Sequence, residues 1–462
     1  MKKTAIVIIL FIMAAVFTRG ASAQGYYSAK DADQFFPDFK SDEDMSVTTA
    51  VRTPTRSAVQ FGGWIMPTFL TDYRSGSKQL NSAVTNINLW LKANLWQNAY
   101  IYLRGRDTLT GVMMQDGYNS VDEIDNLIDL DLGYISSSFL DGMLRLQFGR
   151  KYFTAGAGLV LNGRGDGIQF DISSRWVKFS VYGMYSGLIQ KENNLYQISS
   201  KDYSDGSKRI FTGGELAFPF ENQEAYILAV GQFDMSEETA GARNKYNSQY
   251  CGVGLRGIIA DAVSYYGEFV YETGTTFDID NKKHDIRAMA ASFSMDYYIN
   301  VTTFPTFVVQ YNYASGDVSR EYYSTSWASW TGTGGGNDTG FIGFGTFSAG
   351  YGLRPLPGNL HAVRAGFSIS PFSWAKQFYL KRITLLAKYS CYLKDKTEGA
   401  ISQGEATLDE LLVGHGVDVS LRWKILGDLS LFVNYGVFLP GDAYASSEND
   451  RHFVMEGISL SF

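Results

Sequence analysis

The stretch VDVSLRWKI, residues 417–425, alternates between apolar and polar side chains at every step. Its odd-numbered positions are apolar, and its even-numbered positions are Asp, Ser, Arg and Lys. Successive side chains of a strand point to opposite faces, whereas the faces of a helix repeat every 3.6 residues. The stretch therefore predicts a β-strand with one apolar face and one polar face.

The same period of two recurs along the chain, most clearly in residues 85–95, 144–148, 177–181 and 383–393. Aromatic residues make up 15% of the chain, with 30 Tyr and 31 Phe, and these residue types favour strands. The mean hydropathy is only −0.12. Many alternating strands with a moderate overall hydropathy are typical of a membrane barrel, in which lipid-facing and lumen-facing side chains alternate.

The segments between the predicted strands are of two kinds. Some are very short, as at residues 140–142, 173–175 and 426–428. Others are long and polar: 190–209, 236–245, 315–340 and 394–414. Short turns at one rim and long loops at the other are typical of outer-membrane barrels. We predict an all-β fold, a transmembrane antiparallel β-barrel of about 18 strands, with about 16 as the alternative, because single-chain bacterial barrels prefer even numbers.

The N-terminus has the features of an export signal. Lys2 and Lys3 precede an apolar run over residues 5–17, and the small residues 21–23 follow it. The run is too short for a spanning helix, which needs about 20 residues, so a membrane anchor is the weaker alternative. We predict a signal peptide over residues 1–23.

The mature chain then divides into two parts. Residues 24–56 are acidic and poorly periodic, and we predict a periplasmic N-terminal tail. Residues 57–462 form the predicted outer-membrane β-barrel, whose even strand number places both termini in the periplasm. Its last strand alternates through Ile458, Leu460 and Phe462. We expect these three residues to act as the signal for the barrel-assembly machinery and to face outer-membrane lipid.

The apolar positions fix the outward face, so the charged residues on the opposite parity are expected to line the lumen. The predicted inward basic residues, and candidate anion-binding residues, are Arg104, Arg145, Lys178, Arg256, Arg287, Arg364, Arg382, Lys388, Arg422 and Lys424. The predicted inward acidic residues are Asp129, Asp131, Glu215, Glu268 and Asp418. Rings of Arg and Lys select anions in pores. The alternative is that these charges pair across strands as structural salt bridges.

Several stretches resemble the alginate-export family of outer-membrane barrels. They are RLQFGRK at 145–151, NGRGDGIQFD at 162–171, GVDV at 416–419 and NYGVFLPGDA at 434–443. The last matches a "Y-G-x-F-x-P-G" hairpin exit of that family. The resemblance implies a pore of about 18 strands with a basic lining that passes an anionic polyuronate outward.

Other functions are disfavoured. The formal net charge of −7 becomes −10 when the predicted cleavage removes Lys2, Lys3 and Arg19, which argues against a nucleic-acid partner. Arg164-Gly165-Asp166 is interpreted as a tight turn. The four histidines have no metal spacing, and no motif selects a catalytic serine, so we expect no metal, no cofactor and no enzyme.

Three functions remain: an outer-membrane pore for anionic solutes, including a polyuronate polysaccharide; a general diffusion porin; and a barrel acting as an adhesin or structural anchor.

The parity of the strands also predicts that Cys251 and Cys391 face lipid as reduced thiols.

Overall fold

The structure is a computed structural model that describes a defined part of the chain. The described residues are 59–74, 78–96, 98–116, 119–188, 196–237, 245–278, 282–323, 326–330, 336–347 and 349–462. The predicted signal peptide and acidic tail lie outside them.

Eighteen strands form one antiparallel sheet, as the alternating pattern predicts. They are β1 Val59–Arg74, β2 Lys78–Trp96, β3 Ala99–Asp116, β4 Asn119–Phe139, β5 Leu144–Ala155, β6 Leu161–Ser173, β7 Lys178–Tyr185, β8 Arg209–Phe220, β9 Gln223–Asp234, β10 Asn247–Ile259, β11 Val263–Phe277, β12 Lys283–Tyr298, β13 Thr306–Ala314, β16 Leu360–Ile369, β17 Ile383–Leu393, β18 Leu412–Lys424, β19 Leu429–Pro440 and β20 Arg451–Ser461. Each strand pairs with its neighbours in the sequence.

The sheet closes because β1 pairs with β20. Trp64 lies opposite Ser461, and the backbone N–H of Gly63 donates to the Phe462 carbonyl at 3.0 Å. Closure gives each of these eighteen described strands a partner on both sides, which a membrane-embedded sheet requires. The prediction of a closed 18-stranded barrel is confirmed.

The remaining regular elements lie in connections. Strands β14 (Arg320–Tyr323) and β15 (Ser326–Trp330) form a separate hairpin between β13 and β16. Helix α1 (Ser200–Asp205) follows β7, and short 3₁₀ turns occur at Leu380–Arg382 and Ser402–Gly404. Among the described residues, no helix has the length and apolarity needed to cross a membrane.

The two faces of the barrel differ as the sequence predicts. Val417 and Val419 are exposed on the outer face, while Asp418 and Ser420 are buried on the inner face. Cys251 has the same outward parity as the exposed Val253, and Cys391 the same as the exposed Tyr389; both cysteines are free. The apolar outer band is the surface that a bilayer would cover.

The connections also differ between the two ends. One end, the short-turn rim, carries connections such as 140–143, 174–177, 221–222, 260–262 and 425–428. The other end, the long-loop rim, carries 186–208, 235–246, 315–359, 394–411 and 441–450. Strand β1 begins and β20 ends at the short-turn rim, so the chain enters and leaves the barrel on the same side.

Candidate functional site: the barrel interior

The structure places eight of the ten predicted basic residues on the inner face of the barrel. They are Arg104, Arg145, Lys178, Arg256, Arg364, Lys388, Arg422 and Lys424, which share parity with buried inner residues of their strands. The five predicted acidic residues, Asp129, Asp131, Glu215, Glu268 and Asp418, also contact groups inside the barrel.

Arg287 and Arg382 are elsewhere, and the predictions for them are wrong. Arg287 is exposed on the outer face beside Met289, whereas Ile286 and Ala288 are fully buried inside. The parity rule failed here because the interior at this level is packed with apolar side chains, so the apolar positions of β12 face inward. Arg382 lies in the 3₁₀ turn before β17, exposed at the short-turn rim, with its guanidinium over the Phe378 ring at 3.8 Å.

Near the short-turn rim, basic side chains are consistently more exposed than their acidic partners. Arg145 is 45% exposed and its partner Asp171 is 14% exposed, with Nε and Oδ2 3.1 Å apart. Lys178 is 51% exposed and its partner Glu224 is 10% exposed. Arg256 is 40% exposed and contacts the same Glu224. The inner wall at the short-turn rim, which we call the mouth, therefore presents positive charge to the lumen even where the basic side chains form ion pairs.

Other basic residues extend the same lining. Arg422 near the end of β18 is exposed on the inner face, and Lys92 near the end of β2 and Lys424 at the end of β18 are partly exposed there. We call Lys92, Arg145, Lys178, Arg256, Arg422 and Lys424 the mouth basic group. Acidic side chains on the same part of the inner wall are Asp171, Glu215, Glu224 and Asp296. The basic residues therefore outnumber the acidic ones at this mouth.

Deeper in the barrel lies a buried ion-pair cluster. Asp131 contacts the guanidinium groups of Arg104, Arg106 and Arg164, and all four residues are under one-tenth exposed. A β-bulge puts Asp131 there: Arg104 opposes Leu132 and the next residue, Gly105, opposes Leu130, so Asp131 is the extra residue. Burial of this kind makes the cluster part of the barrel framework, because each charge depends on its partners for solvation.

Sequence reasoning missed Arg150, which pairs with Asp166 at 2.8 Å next to this cluster. Arg150 and Lys151 are adjacent in sequence yet both buried, so β5 departs from alternation there. Gly149 permits this with a φ of +125°, and a Cβ at that position would lie 2.3 Å from the Gly133 carbonyl oxygen. A glycine inside an alternating strand is the sequence signal for such a departure.

The interpretation of Arg164-Gly165-Asp166 as a tight turn is also wrong. The sequence Arg164-Gly165-Asp166 lies within β6 and not in a tight turn. Gly165 allows β6 to pack closely against β7, since a Cβ at this position would lie 2.6 Å from the Met184 sulfur.

In the long-loop half of the barrel, part of the β13–β16 connection crosses the interior. We call residues 336–347 and 349–359 the crossing segment. At one side, the Ile342 N–H donates to Glu272 on β11 at 3.1 Å, and Tyr250 on β10 donates to the Ile342 carbonyl at 2.6 Å. At the other side, Arg354 pairs with Asp72 on β1. Strands β1 and β10 are nine strands apart in the ring of 18, so the segment spans the lumen.

The crossing segment is anchored by apolar packing and by barrel charges. Phe341, Ile342 and Phe344 are buried, and Phe344 packs on Phe211 with ring centroids 5.1 Å apart. The Tyr351 N–H donates to Asp418 at 2.9 Å.

Asp418 also pairs with Arg364 at 2.7 Å, so these two residues, each predicted to face inward, together fix the crossing segment. Lys388 contacts Gln310 beside it at 3.2 Å.

The β5–β6 connection also folds inward. The N–H groups of Gly156 and Ala157 donate to Glu215 and Glu268, at 3.1 and 2.7 Å. Leu159 and Val160 then pack in the same buried apolar cluster as Phe344. Toward the long-loop rim the interior is thus packed by inward-folded connections, with a buried apolar cluster and buried ion pairs such as Arg209–Asp202, and toward the short-turn rim it is lined by basic side chains.

The model of the alginate export family matches residues 168–454, which is more than half of the chain. The chain belongs to the alginate export family. The match extends from within β6 to β20 and so includes every residue of the mouth basic group except Lys92 and Arg145. A comparison with curated protein sequences found no match.

Solved structures share the fold at very low sequence identity. OccK1 (OpdK) of Pseudomonas aeruginosa matches with a TM-score of 0.55 and 8% identity, over 87% of this chain and 98% of that one. OccAB1 of Acinetobacter baumannii matches with 0.54 and 9%, over 89% and 99%. OccK11 (OpdR) of Pseudomonas aeruginosa matches with 0.53 and 10%, over 87% and 96%. The family and the fold are those of outer-membrane transport porins, so this alginate-export-family barrel is an integral outer-membrane pore.

Proposed function

We propose that this barrel passes anionic solutes, with an alginate-like polyuronate as its cargo, and that the mouth basic group attracts them. The supporting observation is a difference in exposure within the ion pairs at the short-turn rim. Lys178 is 51% exposed and its partner Glu224 is 10% exposed, and in the Arg145–Asp171 pair the basic side chain is again the more exposed one. Exposed cations above shielded carboxylates produce a positive surface in a narrow low-dielectric channel, which raises the local concentration of anions.

The orientation and the route to the membrane belong to the same proposal. We place the short-turn rim in the periplasm, so that the mouth basic group meets a cargo on its way out. Export through the signal peptide at residues 1–23 and insertion by the barrel-assembly machinery, with the acidic tail 24–56 in the periplasm, complete it. A transport role fits the family and the fold better than an enzymatic one.

The salt-bridge alternative applies to the deeper residues. Arg104 and Arg364 are 3% and 4% exposed, and each contacts an equally buried aspartate. We therefore assign these two to the barrel framework and restrict anion attraction to the mouth basic group.

Planar-bilayer reversal potentials under a KCl gradient test the proposal. The wild-type pore is expected to favour anions at about 0.1 M salt and to lose this preference toward about 1 M, where the Debye length falls from about 10 to about 3 Å. The triple variant Arg145→Gln, Lys178→Gln, Arg422→Gln should shift selectivity toward cations.

The matched control is Arg287→Gln, which removes a positive charge from the outer face and should leave selectivity unchanged. A wild-type pore that favours cations at low salt would contradict the proposal. Equal selectivity for both ions would favour the general diffusion porin, and the absence of any conductance would favour an adhesin or anchor.

A further inference from the structure

One connection of the short-turn rim is much longer than its hairpin requires. A turn of about two residues suffices to join antiparallel strands, yet residues 370–382 separate β16 from β17. We call residues 370–382 the rim extension. It is the longest connection of this rim in the part of the chain that the structure describes, and its neighbour at 299–305, between β12 and β13, is the next longest. The hairpin itself does not explain this additional length.

The rim extension lies against the outer side of the barrel. The Trp423 indole Nε1 donates to the Tyr379 carbonyl at 2.9 Å. Trp423 shares the outward parity of the exposed Val419 on β18. At the start of the extension, the Ser370 N–H donates to the Thr303 carbonyl at 2.8 Å. These two bonds hold the extension beside the outer ends of the neighbouring strands.

The rim extension presents aromatic side chains that continue the apolar outer band. Four of them are between 41% and 68% exposed: Phe372, Trp374, Phe378 and Tyr379. The band reaches the rim beside them through Phe307 on β13 and Phe367 on β16, which are exposed on the outer face and have ring centroids 5.1 Å apart. Aromatic residues are enriched where the hydrocarbon region of a bilayer meets the headgroups. The extension therefore continues the surface that a bilayer would cover.

The rim extension is also positively charged. Its three basic side chains are all exposed: Lys376, Lys381 and Arg382. Residues 297–316 and 360–394, which include the extension and the strands on either side of it, contain no Asp or Glu. On the elements around them, Asp428 is exposed in the connection after β18, and Asp296 on β12 has inward parity. Three basic groups therefore face one exposed acidic neighbour, and this charge balance selects an anion.

The occupant of this surface must combine an anionic group with an apolar part. A soluble polyanion would pair with the basic side chains but would leave the aromatic rings uncovered. A phospholipid supplies both parts, because its acyl chains would lie along the outer band and its phosphate at the depth of the basic side chains. The stems of Lys and Arg pack on apolar surface while their charged ends reach polar groups. The Arg382 guanidinium over the Phe378 ring, at 3.8 Å, is such a contact.

We propose that the rim extension binds the phosphate-bearing headgroups of anionic phospholipids in the leaflet at the short-turn rim. Lys376, Lys381 and Arg382 pair with the phosphates, and Trp374 and Phe378 lie beside the upper parts of the acyl chains. The inference does not depend on the cargo of the pore, because the extension and the lumen lie on opposite sides of the wall. The contact would hold the β16–β17 side of the barrel at a fixed depth.

Native mass spectrometry of the full barrel in detergent tests the proposal. Phosphatidylglycerol and phosphatidylcholine with acyl chains of equal length are added at equal concentrations, and the ratio of the two one-lipid complexes is measured. One basic contact corresponds to about a fivefold preference for the anionic lipid. The wild-type barrel should show a preference of at least about this size, and the double variant Lys376→Gln, Arg382→Gln should lower the preference by about fivefold or more.

The matched control is the double variant Lys283→Gln, Arg287→Gln. It also removes one Lys and one Arg, both exposed on the outer face, but at the long-loop end of β12. The control should keep the wild-type preference. Heat-modifiable gel mobility verifies that each barrel is folded, and the single variant Lys376→Gln, expected to show a partial loss, is used if the double variant fails this check.

Three results would overturn the proposal. The first is an unchanged lipid preference in the folded extension variant, which, together with weaker oligouronate binding, would assign the extension to the cargo. The second is an equal loss in the control, which would mean that the attraction is a general property of the outer face. The third is a carbodiimide cross-link between Lys376 and an aspartate of residues 24–56, which would make the acidic tail of this chain the occupant.

Discussion

Asp131 is a single residue on which a buried ion-pair cluster of this barrel depends. Three guanidinium groups converge on its carboxylate in a region that solvent scarcely reaches. The attraction offsets the desolvation of the charges only while all partners are present. Asp171 makes a similar pair with Arg145, but that pair is open to solvent and screened.

Asp131→Asn should therefore destabilise the barrel by about 3–5 kcal/mol, because it leaves buried cations without their counter-charge. Asp171→Asn, the matched control, should cost less than about 1 kcal/mol. Denaturant unfolding of the refolded protein in detergent micelles measures both. Equal losses would mean that the buried cluster is not distinct from the mouth pairs.

A second prediction concerns acid pH and Asp395. Burial alone would raise its pKa, but the nearby His361 imidazole, 3.7 Å away, and the hydrogen bond from the Gly316 N–H hold the pKa below its ordinary value of 3.8. A depressed folded-state pKa contributes stability that is present above the unfolded value and is lost as the pH falls through the folded value. Unfolding measured from about pH 5 to about pH 2.5 should show this loss below about pH 4, and Asp395→Asn should reduce it.

The predictions failed at residues where the usual relation does not hold between odd or even position in a strand and the face of the barrel that the side chain occupies. For Arg287, the rule that apolar side chains face lipid failed because Ile286 and Ala288 pack inside the filled half of the barrel. For Arg150, Gly149 broke the alternation of β5. Neither reversal can be read from the spacing of apolar residues alone, since both depend on what occupies the interior.

At the scale of elements, the strands were predictable and the crossing segment was not. Strand β18 is fixed locally by alternation, and its register with β17 follows from keeping Asp418 inside and Val417 outside. The crossing segment has no period to read. Its position follows from contacts with β1, β10 and β11, which are distant in sequence. The polar composition of residues 315–340 predicts a long loop but does not indicate whether the loop is external or folded into the lumen.

Replacing Phe341, Ile342 and Phe344 with serine should loosen the crossing segment, since their buried side chains hold it against the barrel wall. We expect a larger single-channel conductance, by about twofold or more, because this segment narrows the lumen. Phe304→Ser is the control, since Phe304 is exposed in a short turn. Conductance equal to that of the wild type would show that the segment does not limit the flow of ions.

The closing strand gives a further prediction. Phe462 is 60% exposed on the outer face, and its backbone pairs with Gly63 on β1. Phe462→Asp should lower the yield of membrane-inserted barrel, because it puts a charge on the lipid-facing side of the closing strand. Ser461→Asp, one residue away but on the inner face, is the matched control and should assemble normally. Equal yields for the two variants would remove the terminal aromatic from the assembly signal.

For the whole molecule, the notable property is the difference between its two ends. The chain is acidic, with a formal net charge of −7, yet its mouth at the short-turn rim is basic. Toward the long-loop rim the same lumen is filled by the crossing segment and the inward β5–β6 connection. A polyanion that approaches from the short-turn side meets exposed cations first. From the other side it meets loops and the packed interior that the crossing segment fills.

The pore should therefore be blocked by polyuronate from one side only. With barrels inserted in a single orientation in a planar bilayer, oligouronates added at the short-turn side should interrupt the current at micromolar to millimolar concentrations, about tenfold lower than from the long-loop side. Neutral oligosaccharides of equal length should block weakly from both sides, because the mouth basic group gives them no electrostatic attraction. Neutralising Arg145, Lys178 and Arg422 should abolish the difference between the sides for the charged oligomers. Equal block from both sides in the wild-type pore would place the anion-attracting charges somewhere other than the short-turn mouth.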